Sequence, residues 1–352
     1  MANEISVREA LDLPGAKIID VRSEAEFTEA TIPGAFNIPL LNDTERAQVG
    51  KLYKEKGSIE ARELGFQLVF PKLSELVRQF GELSLQGPLV VFCWRGGLRS
   101  KSVCALMEET GIPVYRLVGG YKAYRRYLND YLSHPLKHRA VVIHGLTGVG
   151  KTDVIQELRS LALPAVDLEG LANNRGSVFG QIGMNVQPSQ KMFDGLLVQE
   201  LAFWEDAGYI IVECESRRIG RIILPETLVE SMRNGIKILA YSPIEIRIER
   251  IKRIYSFENE LGLVENKEEL KEAIKSLERR IGKQRIAEFC EMVDKGQLNN
   301  VVEHLLINYY DPLYKYPSEP SKQYDLSVDT GDICTAVKKI KDFLNQNFPV
   351  RS

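Results

Sequence analysis

The sequence predicts an α/β protein of two domains, each with a parallel sheet, followed by a helical C-terminal region. Short apolar runs typical of buried strands alternate with helical patterns in both halves of the 352-residue chain. A polar segment with a proline, residues 134–139, interrupts this alternation and predicts a linker between domains at 1–133 and 140–352. From residue 243 to about residue 306 the pattern is helical and heavily charged.

The elements of the first half follow from apolar runs and from one helical pattern that contains a proline. Apolar residues at helical spacing over 61–80 predict a helix that Pro71 splits, because proline clashes with the preceding turn. A second helix is predicted over 100–109. The predicted strands are residues 16–20, 88–92 and 114–118.

The second half repeats the alternation. Residues 209–214 are strongly apolar, which is typical of a strand that is buried on both faces of a parallel sheet. The other predicted strands are 140–144, 165–168, 236–241 and 324–328, and the predicted helices are 151–161, 188–207 and 332–345.

The composition excludes several classes of protein. Lys and Arg number 46 and Asp and Glu 48, a balance that argues against coating nucleic acid or membranes by bulk charge. No stretch approaches the ~18 apolar residues of a membrane span, and no signal-peptide pattern is visible at the start. Five scattered cysteines do not suggest a disulfide framework, so we expect a reduced, cytoplasmic protein without membrane contact.

A cysteine-containing loop follows the strand predicted at 88–92. Backbone N–H groups of such a loop converge on one point, and the N-terminus of the next helix adds positive potential there. A thiol ionises more easily in such surroundings, and the cradle also suits a phosphate-like anion or a chalcogen anion carried on the cysteine. The predicted reactive residue is Cys93, and the predicted cradle is Trp94, Arg95, Gly96, Gly97, Leu98 and Arg99.

The alternative for Cys93 is a buried packing cysteine at the end of a strand. Two glycines and two arginines in the same loop favour a functional site over that alternative. The other four cysteines are predicted to be packing residues, and no pair has the spacing of metal ligands. They are Cys104, Cys214, Cys290 and Cys334.

A phosphate-binding motif, G-x-x-x-x-G-K-T, opens the second domain between an apolar strand and an amphipathic helix. Its glycines let backbone N–H groups cradle a diphosphate, Lys151 reaches phosphate oxygens, and Thr152 can hold Mg²⁺. No tightly bound cofactor is predicted. The predicted diphosphate-binding residues are Gly145, Thr147, Gly148, Val149, Gly150, Lys151 and Thr152.

Polar segments at the ends of two predicted strands suggest a pocket for an anionic substrate beside this loop, since open α/β sheets bind ligands there. Two glutamates flank Cys214 where ATP-driven P-loop proteins usually carry an aspartate, which favours phosphate binding over ATP hydrolysis. The predicted pocket residues are Asp167, Glu169, Arg175, Ser177, Glu213, Glu215, Ser216 and Arg217.

The local excess of positive charge in the helical region is compatible with RNA binding. Between residues 217 and 285 there are 16 Lys and Arg but only 11 Glu. Basic clusters and a tyrosine that could stack on bases permit RNA binding, whereas a solvated helix face and a packed turn are the alternatives. The residues predicted to touch RNA are Arg247, Arg250, Arg253, Arg279, Arg280 and Tyr310.

The first half resembles a rhodanese domain. The residues that carry the resemblance are Asp20-Val21-Arg22, Glu26-Phe27, Ile32-Pro33-Gly34-Ala35, the Cys93 loop and Gly119-Gly120-Tyr121. The resemblance implies that Cys93 carries the chemistry and that Asp20, Arg22 and Glu26 are mainly structural or rim residues.

With the phosphate-binding loop, the whole chain resembles the family of bacterial tRNA 2-selenouridine synthases. Further runs that match are Glu45-Arg46, Val49-Gly50, Tyr53-Lys54, Val118 to Lys122, Asp167 to Gly180, Glu213 to Gly220 and Tyr310-Asp311-Pro312. The family often has histidine where this chain has Asn174, so a role that needs imidazole is in doubt there.

The resemblance implies a two-step reaction on 2-thiouridine at the wobble position of tRNA. Geranyl diphosphate first alkylates the sulfur, and selenophosphate then supplies selenium as the geranyl-thio group leaves. Alkylation turns a poor leaving group into a better one. Cys93 would bind selenophosphate or carry selenium as a perselenide, and an enzyme that supplies selenophosphate is an implied partner.

Two other functions fit the same residues. One is a sulfurtransferase fused to a nucleotide-dependent kinase, which would form thiocyanate from thiosulfate and cyanide and turn over ATP. The other is a non-catalytic switch in which the first domain senses redox state and the second senses nucleotides.

Overall fold

A computed structural model of the chain describes residues 3–175, 184–255 and 267–348. Contacts group residues 1–131 and 189–198 into one unit, and residues 132–188 and 199–352 into a second unit. Both units are parallel α/β structures, as the sequence predicts.

The first unit contains a five-stranded parallel sheet with the order β1-β5-β4-β2-β3. Every residue of its central strand is buried, because helices cover both faces of a parallel sheet. The strands are β1 Asn3–Ile5, β2 Lys17–Asp20, β3 Phe36–Asn37, β4 Leu89–Phe92 and β5 Val114–Leu117.

Helices α1 to α7 lie between and after the strands of this sheet. The helical pattern over 61–80 is split as predicted, since a short 3₁₀ turn containing Pro71 separates two helices. The helix predicted from residue 100 begins earlier, at Leu98, so Leu98 and Arg99 belong to a helical turn and not to the loop. The helices are α1 Val7–Asp12, α2 Glu24–Glu29, α3 Asp43–Lys56, α4 Ser58–Val69, α5 Leu73–Ser84, α6 Leu98–Glu109 and α7 Gly120–Ser133.

The second unit contains another five-stranded parallel sheet, ordered β12-β11-β6-β8-β7, and a small antiparallel hairpin of β9 and β10. All five strands predicted for this half are present in the sheet. The strands are β6 Arg139–His144, β7 Ala165–Val166, β8 Tyr209–Glu213, β9 Arg218–Ile219, β10 Ile222–Ile223, β11 Ile236–Tyr241 and β12 Leu326–Asp329.

The remaining helices lie between and after these strands, and α10 spans the residues at which the contact grouping changes. They are α8 Lys151–Ser160, α9 Leu168–Ala172, α10 Gln190–Phe203, α11 Glu226–Arg233, α12 Ile244–Tyr255, α13 Lys267–Lys275, α14 Glu278–Ile281, α15 Lys283–Asp294, α16 Leu298–Leu305, α17 Asp311–Tyr314 and α18 Ile333–Asn347. None of the helices in the described ranges combines the length and hydropathy that crossing a bilayer requires.

The helical region shares an apolar core, to which Ile248 of α12, Ile274 of α13, Phe289 of α15 and Leu305 of α16 contribute. Burial of these side chains stabilises the region, at roughly 1.5–3 kcal/mol for each large apolar side chain. The same core contains Tyr310, which is only 5% exposed.

Candidate active site: a cysteine loop and a phosphate loop

Cys93 lies directly after the central strand β4 of the first unit, where a parallel sheet presents its carboxyl edge. Its side chain is 3% exposed, and its Sγ is 3.3 Å from the hydroxyl of Ser100 in the first turn of α6. The thiol therefore faces the N-terminus of a twelve-residue helix, whose free N–H groups favour an anion. This is the position that the sequence predicts.

Two glycines allow the Cys93 loop to pack against the start of α7. Gly96 has a φ of +63°, and a Cβ on it would lie 2.8 Å from the carbonyl oxygen of Leu117. A Cβ on Gly120 would lie 2.1 Å from the carbonyl oxygen of Cys93. The backbone N–H of Tyr121 donates to that same carbonyl at 2.9 Å, so the Gly119-Gly120-Tyr121 segment holds the loop closed.

A buried ion pair supports the loop from the neighbouring strand. The Arg22 guanidinium donates to the Asp20 carboxylate at 2.6 Å and lies 4.2 Å from the centre of the Tyr121 ring. Asp20 also accepts from the Thr31 hydroxyl at 2.9 Å. Asp20 and Arg22 are fully buried, so they position the loop and do not contact solvent.

The cradle predicted around Cys93 divides into buried and exposed groups. Arg99 is held by Glu26, with a distance of 2.7 Å between Nη1 and Oε2. Burial raises the pKa of Glu26, but the hydrogen bond and charge of Arg99, with the charge of Arg46, outweigh it and lower that pKa. Arg95 and Trp94 are exposed, and no carboxylate partner of Arg95 occurs in the described ranges. Arg95 therefore remains available to an incoming anion.

The other cysteines differ in exposure. Cys104 is buried in the first unit, and burial raises the pKa of its thiol to about 12. Cys214 accepts or donates a hydrogen bond with the hydroxyl of Tyr316 at 3.2 Å, and burial raises its pKa. Cys290 packs partly buried against the helical core. Cys334 is exposed on the first turn of α18, so its predicted packing role is wrong.

The phosphate-binding motif forms a loop between β6 and α8, in the structural context that the motif requires. Gly148 and Gly150 have φ values of +80° and +88°, and a Cβ on Gly145 would lie 2.3 Å from the carbonyl oxygen of Ala240. The ammonium of Lys151 donates to the carbonyl oxygens of Gly145 and Leu146, at 3.1 and 3.4 Å. These contacts place a positive charge across the mouth of the loop.

Two arginines that the sequence assigned to RNA instead support this loop. Arg247 is 3% exposed; its Nε donates to the carbonyl oxygen of Thr147 at 2.8 Å, and its Nη2 lies 2.5 Å from Asp311. Arg250 is 7% exposed, and its Nη1 donates to the carbonyl oxygen of Val149 at 2.8 Å. The prediction that these two side chains bind RNA is wrong, because they are buried against the loop's own carbonyl groups.

Three carboxyl groups gather beside Lys151 and Thr152. The Thr152 hydroxyl donates to Glu169 at 3.0 Å, and the backbone N–H of Glu169 donates to Glu213 at 2.8 Å. Glu169 and Glu215 share a hydrogen bond. The second carboxyl oxygen of Glu213, Oε2, is buried and has no hydrogen-bond partner among the residues that the structure describes.

Burial, more than any other cause, raises the pKa of all three carboxyl groups. The pKa of Glu215 rises from 4.5 to about 8 through burial and the negative charge of Glu169. Burial also raises the pKa of Glu213, and Asp167 and Glu169 add to that rise. The raised pKa of Glu215 favours its protonated form, which limits the negative charge beside the phosphate-binding loop.

The other predicted pocket residues take several roles. Asp167 caps α9 by accepting from the N–H of Gly170 at 2.7 Å, and Arg175 is partly buried just beyond that helix. Ser216 is exposed and closes a turn onto Arg218, and Arg217 is exposed and paired with Glu226 at 3.1 Å. The prediction for Ser177 lies outside the described residues.

Asn174 is 4% exposed. Its backbone N–H donates to the carbonyl oxygen of Glu169, and its side-chain nitrogen would be 2.8 Å from a Cβ on Gly220. Asn174 thus links the end of α9 to the β9–β10 turn.

The remaining residues predicted to contact RNA differ in how far they are buried. Tyr310 lies in the helical core, so the alternative of a packed turn is correct and stacking of Tyr310 on a base is excluded. Arg253 is exposed and 3.7 Å from Asp153. Arg280 donates to the Tyr309 hydroxyl at 2.5 Å, and Arg279 is exposed. Arg253, Arg279 and Arg280 remain accessible to RNA.

The fold and the two loops define the class of protein: an enzyme that joins a rhodanese-like domain to a P-loop domain. A model of the rhodanese-like domain matches residues 5–127, and a model described as the tRNA 2-selenouridine synthase AAA domain matches residues 138–347. The second model alone covers more than half of the chain.

The chain belongs to the tRNA 2-selenouridine synthase family and is a transferase. The tRNA 2-selenouridine synthase of Cupriavidus pinatubonensis is 36% identical over 88% of this chain and 90% of that protein. That of Sulfurovum sp. is 34% identical over 87% of this chain and 90% of that protein. That of Psychromonas ingrahamii is 30% identical over 94% of both chains.

Proposed function

We propose that this protein converts wobble 2-thiouridine in tRNA to 2-selenouridine in two steps, through a geranylated intermediate. The observation that carries the proposal is the presence, in one member of this family, of two separate anion-binding loops, each with its own reactive or cationic side chain. One loop suits the diphosphate of geranyl diphosphate, and the other suits selenophosphate.

The first step takes place at the phosphate-binding loop. The sulfur of 2-thiouridine bonds to the first carbon of the geranyl group, the carbon–oxygen bond breaks, and diphosphate leaves with the electron pair. The nucleoside loses its N3 proton. Backbone N–H groups of the loop and the Lys151 ammonium stabilise the charge that diphosphate gains on departure. ATP hydrolysis is not required for this use of the loop.

The oxygen ligands beside Lys151 fit a magnesium ion. Mg²⁺ prefers hydroxyl and carboxylate oxygens, which Thr152 and Glu169 present 3.0 Å apart. Burial raises the pKa values of Glu169 and Glu215 by disfavouring their charged forms, and a bound cation would offset that cost. When bound, the ion would neutralise charge on the departing diphosphate.

The second step takes place at Cys93. Selenium bonds to C2 of the base, the C2–sulfur bond breaks, and geranylthiolate leaves with the electron pair; with selenophosphate as the donor, water then cleaves the selenium–phosphorus bond. The N-terminus of α6, Ser100 and Arg95 would hold the anionic donor.

The surface that binds tRNA is proposed to include the exposed arginines of the helical region. Arg253 of α12 and Arg279 and Arg280 of α14 remain exposed after Arg247 and Arg250 are assigned to the phosphate-binding loop. Their guanidinium groups would contact phosphates of the tRNA backbone, which positions the anticodon without reading its sequence.

Reconstitution of the reaction from purified components, with each donor left out in turn, tests this function. The purified protein is incubated with tRNA that carries wobble 2-thiouridine, and the nucleosides are analysed by mass spectrometry. Geranyl diphosphate alone should give the S-geranyl nucleoside, and both donors together should give 2-selenouridine. Selenouridine formed without geranyl diphosphate would contradict the two-step route. Thiocyanate formation with ATP turnover and unchanged nucleosides would favour the sulfurtransferase–kinase alternative, and unchanged nucleosides without any turnover would favour the switch.

A further inference from the structure

The first unit contains an apolar cavity that neither anion-binding loop uses. It has a volume of about 530 Å³ and lies between α3, α4 and α6. Its lining includes Leu41, Val49, Ala61, Val69, Val103 and Leu106. A dry cavity of about 150 Å³ already holds a benzene molecule, and small-molecule sites span roughly 300–1,000 Å³. The volume and lining therefore suit a flexible hydrocarbon chain larger than a single ring.

The mouth of the cavity carries large apolar side chains that face solvent. Phe66 is 65% exposed and Phe70 is 75% exposed, and Tyr53 and Leu98 beside them are also exposed. Contiguous exposed apolar groups of this kind mark binding surfaces. The mouth is thus open to a ligand that arrives from solvent.

The cavity lies next to the cysteine loop through one turn of helix α6. Leu98 and Arg99 line the cavity, and the next residue, Ser100, is 3.3 Å from Cys93 Sγ. Neighbouring residues on a helix point in different directions around its axis, and the helix with its side chains is about 10–12 Å in diameter. A hydrocarbon chain bound in the cavity can therefore be covalently attached to a base whose reacting carbon, C2, lies at the Cys93 thiol.

The positive charge at the cavity mouth is complementary to the phosphates of a nucleic acid. Arg62 lines the cavity, is exposed, and has no carboxylate partner within the described residues. Arg99 supplies a second guanidinium, which Glu26 holds in place. An apolar chain carried on an RNA satisfies both features, since the chain fills the cavity while phosphates meet the arginines.

We propose that this cavity binds the geranyl chain of the S-geranyl-2-thiouridine intermediate during the selenium step. The proposal rests on the proposed function and adds to it a binding site for the intermediate. Binding there orients C2 of the base toward the donor at Cys93 and keeps the leaving geranylthiolate in an apolar environment. The first step at the phosphate-binding loop does not use the cavity.

A matched pair of variants on α3 tests the proposal. Val49 lines the cavity, whereas its neighbour Gln48 is exposed and does not. The substrate is an anticodon stem–loop RNA with S-geranyl-2-thiouridine, and the readout is its conversion to 2-selenouridine with selenophosphate. Val49→Trp should raise KM about tenfold or more, while Gln48→Trp and the rate of geranylation from geranyl diphosphate stay unchanged.

A series of alkyl chains on the wild-type protein provides a second test that does not depend on a folded variant. RNA with S-methyl, S-dimethylallyl or S-geranyl 2-thiouridine is titrated, and affinity should rise with chain length by about tenfold or more overall. Equal affinity for the S-methyl and S-geranyl RNAs would overturn the proposal. An unchanged KM for selenation in Val49→Trp would also overturn it. A change in oligomeric state on that substitution would overturn it as well, because the cavity would then be a contact between copies of this chain.

Failure of the proposed function gives a different result. If wild-type protein does not convert the S-geranyl RNA at all, the two-step route fails. If wild-type protein converts it and the chain-length series is flat, the route stands and only the cavity assignment fails.

Discussion

Arg247 Nε donates a hydrogen bond of 2.8 Å to the carbonyl oxygen of Thr147, across 100 positions of sequence. The same guanidinium forms a two-pronged pair with Asp311 at the end of the helical region, at 2.5 and 3.0 Å. Arg247 therefore ties the helical region to the loop that is proposed to bind diphosphate. Arg250, one turn further along α12, makes the equivalent contact with Val149.

Replacement of Arg247 by alanine should destabilise the second unit. The change leaves Asp311 without its partner and the Thr147 carbonyl without its donor, and removal of one member of a buried pair costs about 3–5 kcal/mol. Chemical denaturation measures the free energy of unfolding. Arg253→Ala, on the same helix but exposed, should cost less than about 1 kcal/mol, and equal losses in the two variants would contradict the bracing role.

Lys151→Ala should weaken binding of geranyl diphosphate and slow the first step. Loss of one charged hydrogen-bond donor to a phosphate costs about 1.5–3 kcal/mol, which is about 10–150-fold in Kd. Isothermal titration with geranyl diphosphate measures the affinity. The control is Lys137→Ala, an exposed lysine of the same unit, and an unchanged Kd in Lys151→Ala would count against the diphosphate site.

Cys93→Ser should stop the reaction after geranylation. The serine keeps the shape of the loop but removes the thiol that the selenium step requires, so the S-geranyl nucleoside should accumulate on tRNA. Nucleoside mass spectrometry follows both products. Cys334→Ser is the matched control, since that thiol is exposed and distant in sequence, and full selenation by Cys93→Ser would refute the assignment.

Glu215→Gln should flatten the pH dependence of stability between 4.5 and about 8. The folded protein retains the Glu215 proton up to about pH 8, whereas an unfolded chain releases it near pH 4.5. Stability therefore falls as pH rises through this window, because the unfolded state binds fewer protons. Melting temperatures measured across the window should decline less in the variant, and identical slopes would show that Glu215 does not titrate as described.

The sequence predicts the sheets and the two loops because each has a local signal. Buried strands are short apolar runs, and both loops combine glycines with cationic residues at fixed spacing. Every strand of the second parallel sheet lies where an apolar run predicts it. The split at Pro71 follows from the geometry of proline alone.

The roles of Arg247, Arg250 and Tyr310 could not be predicted, because their partners lie far away in the sequence. A basic triplet on one helix face has the same spacing whether the face meets solvent, RNA or a carbonyl group. Strand β1 and helix α3 have no hydrophobic pattern by which the sequence could predict them. Strand β1 has only three residues, and α3 buries none of its side chains. The apolar cavity depends on how α3, α4 and α6 pack, which no local pattern records.

The proposed activity of this chain is the replacement of sulfur by selenium in tRNA. The most direct measurement is mass spectrometry of tRNA nucleosides from cells that contain the protein and from cells that lack it. We expect 2-selenouridine only in cells with the protein, and the S-geranyl nucleoside in cells that carry Cys93→Ser. Identical nucleoside profiles in the two strains would contradict it.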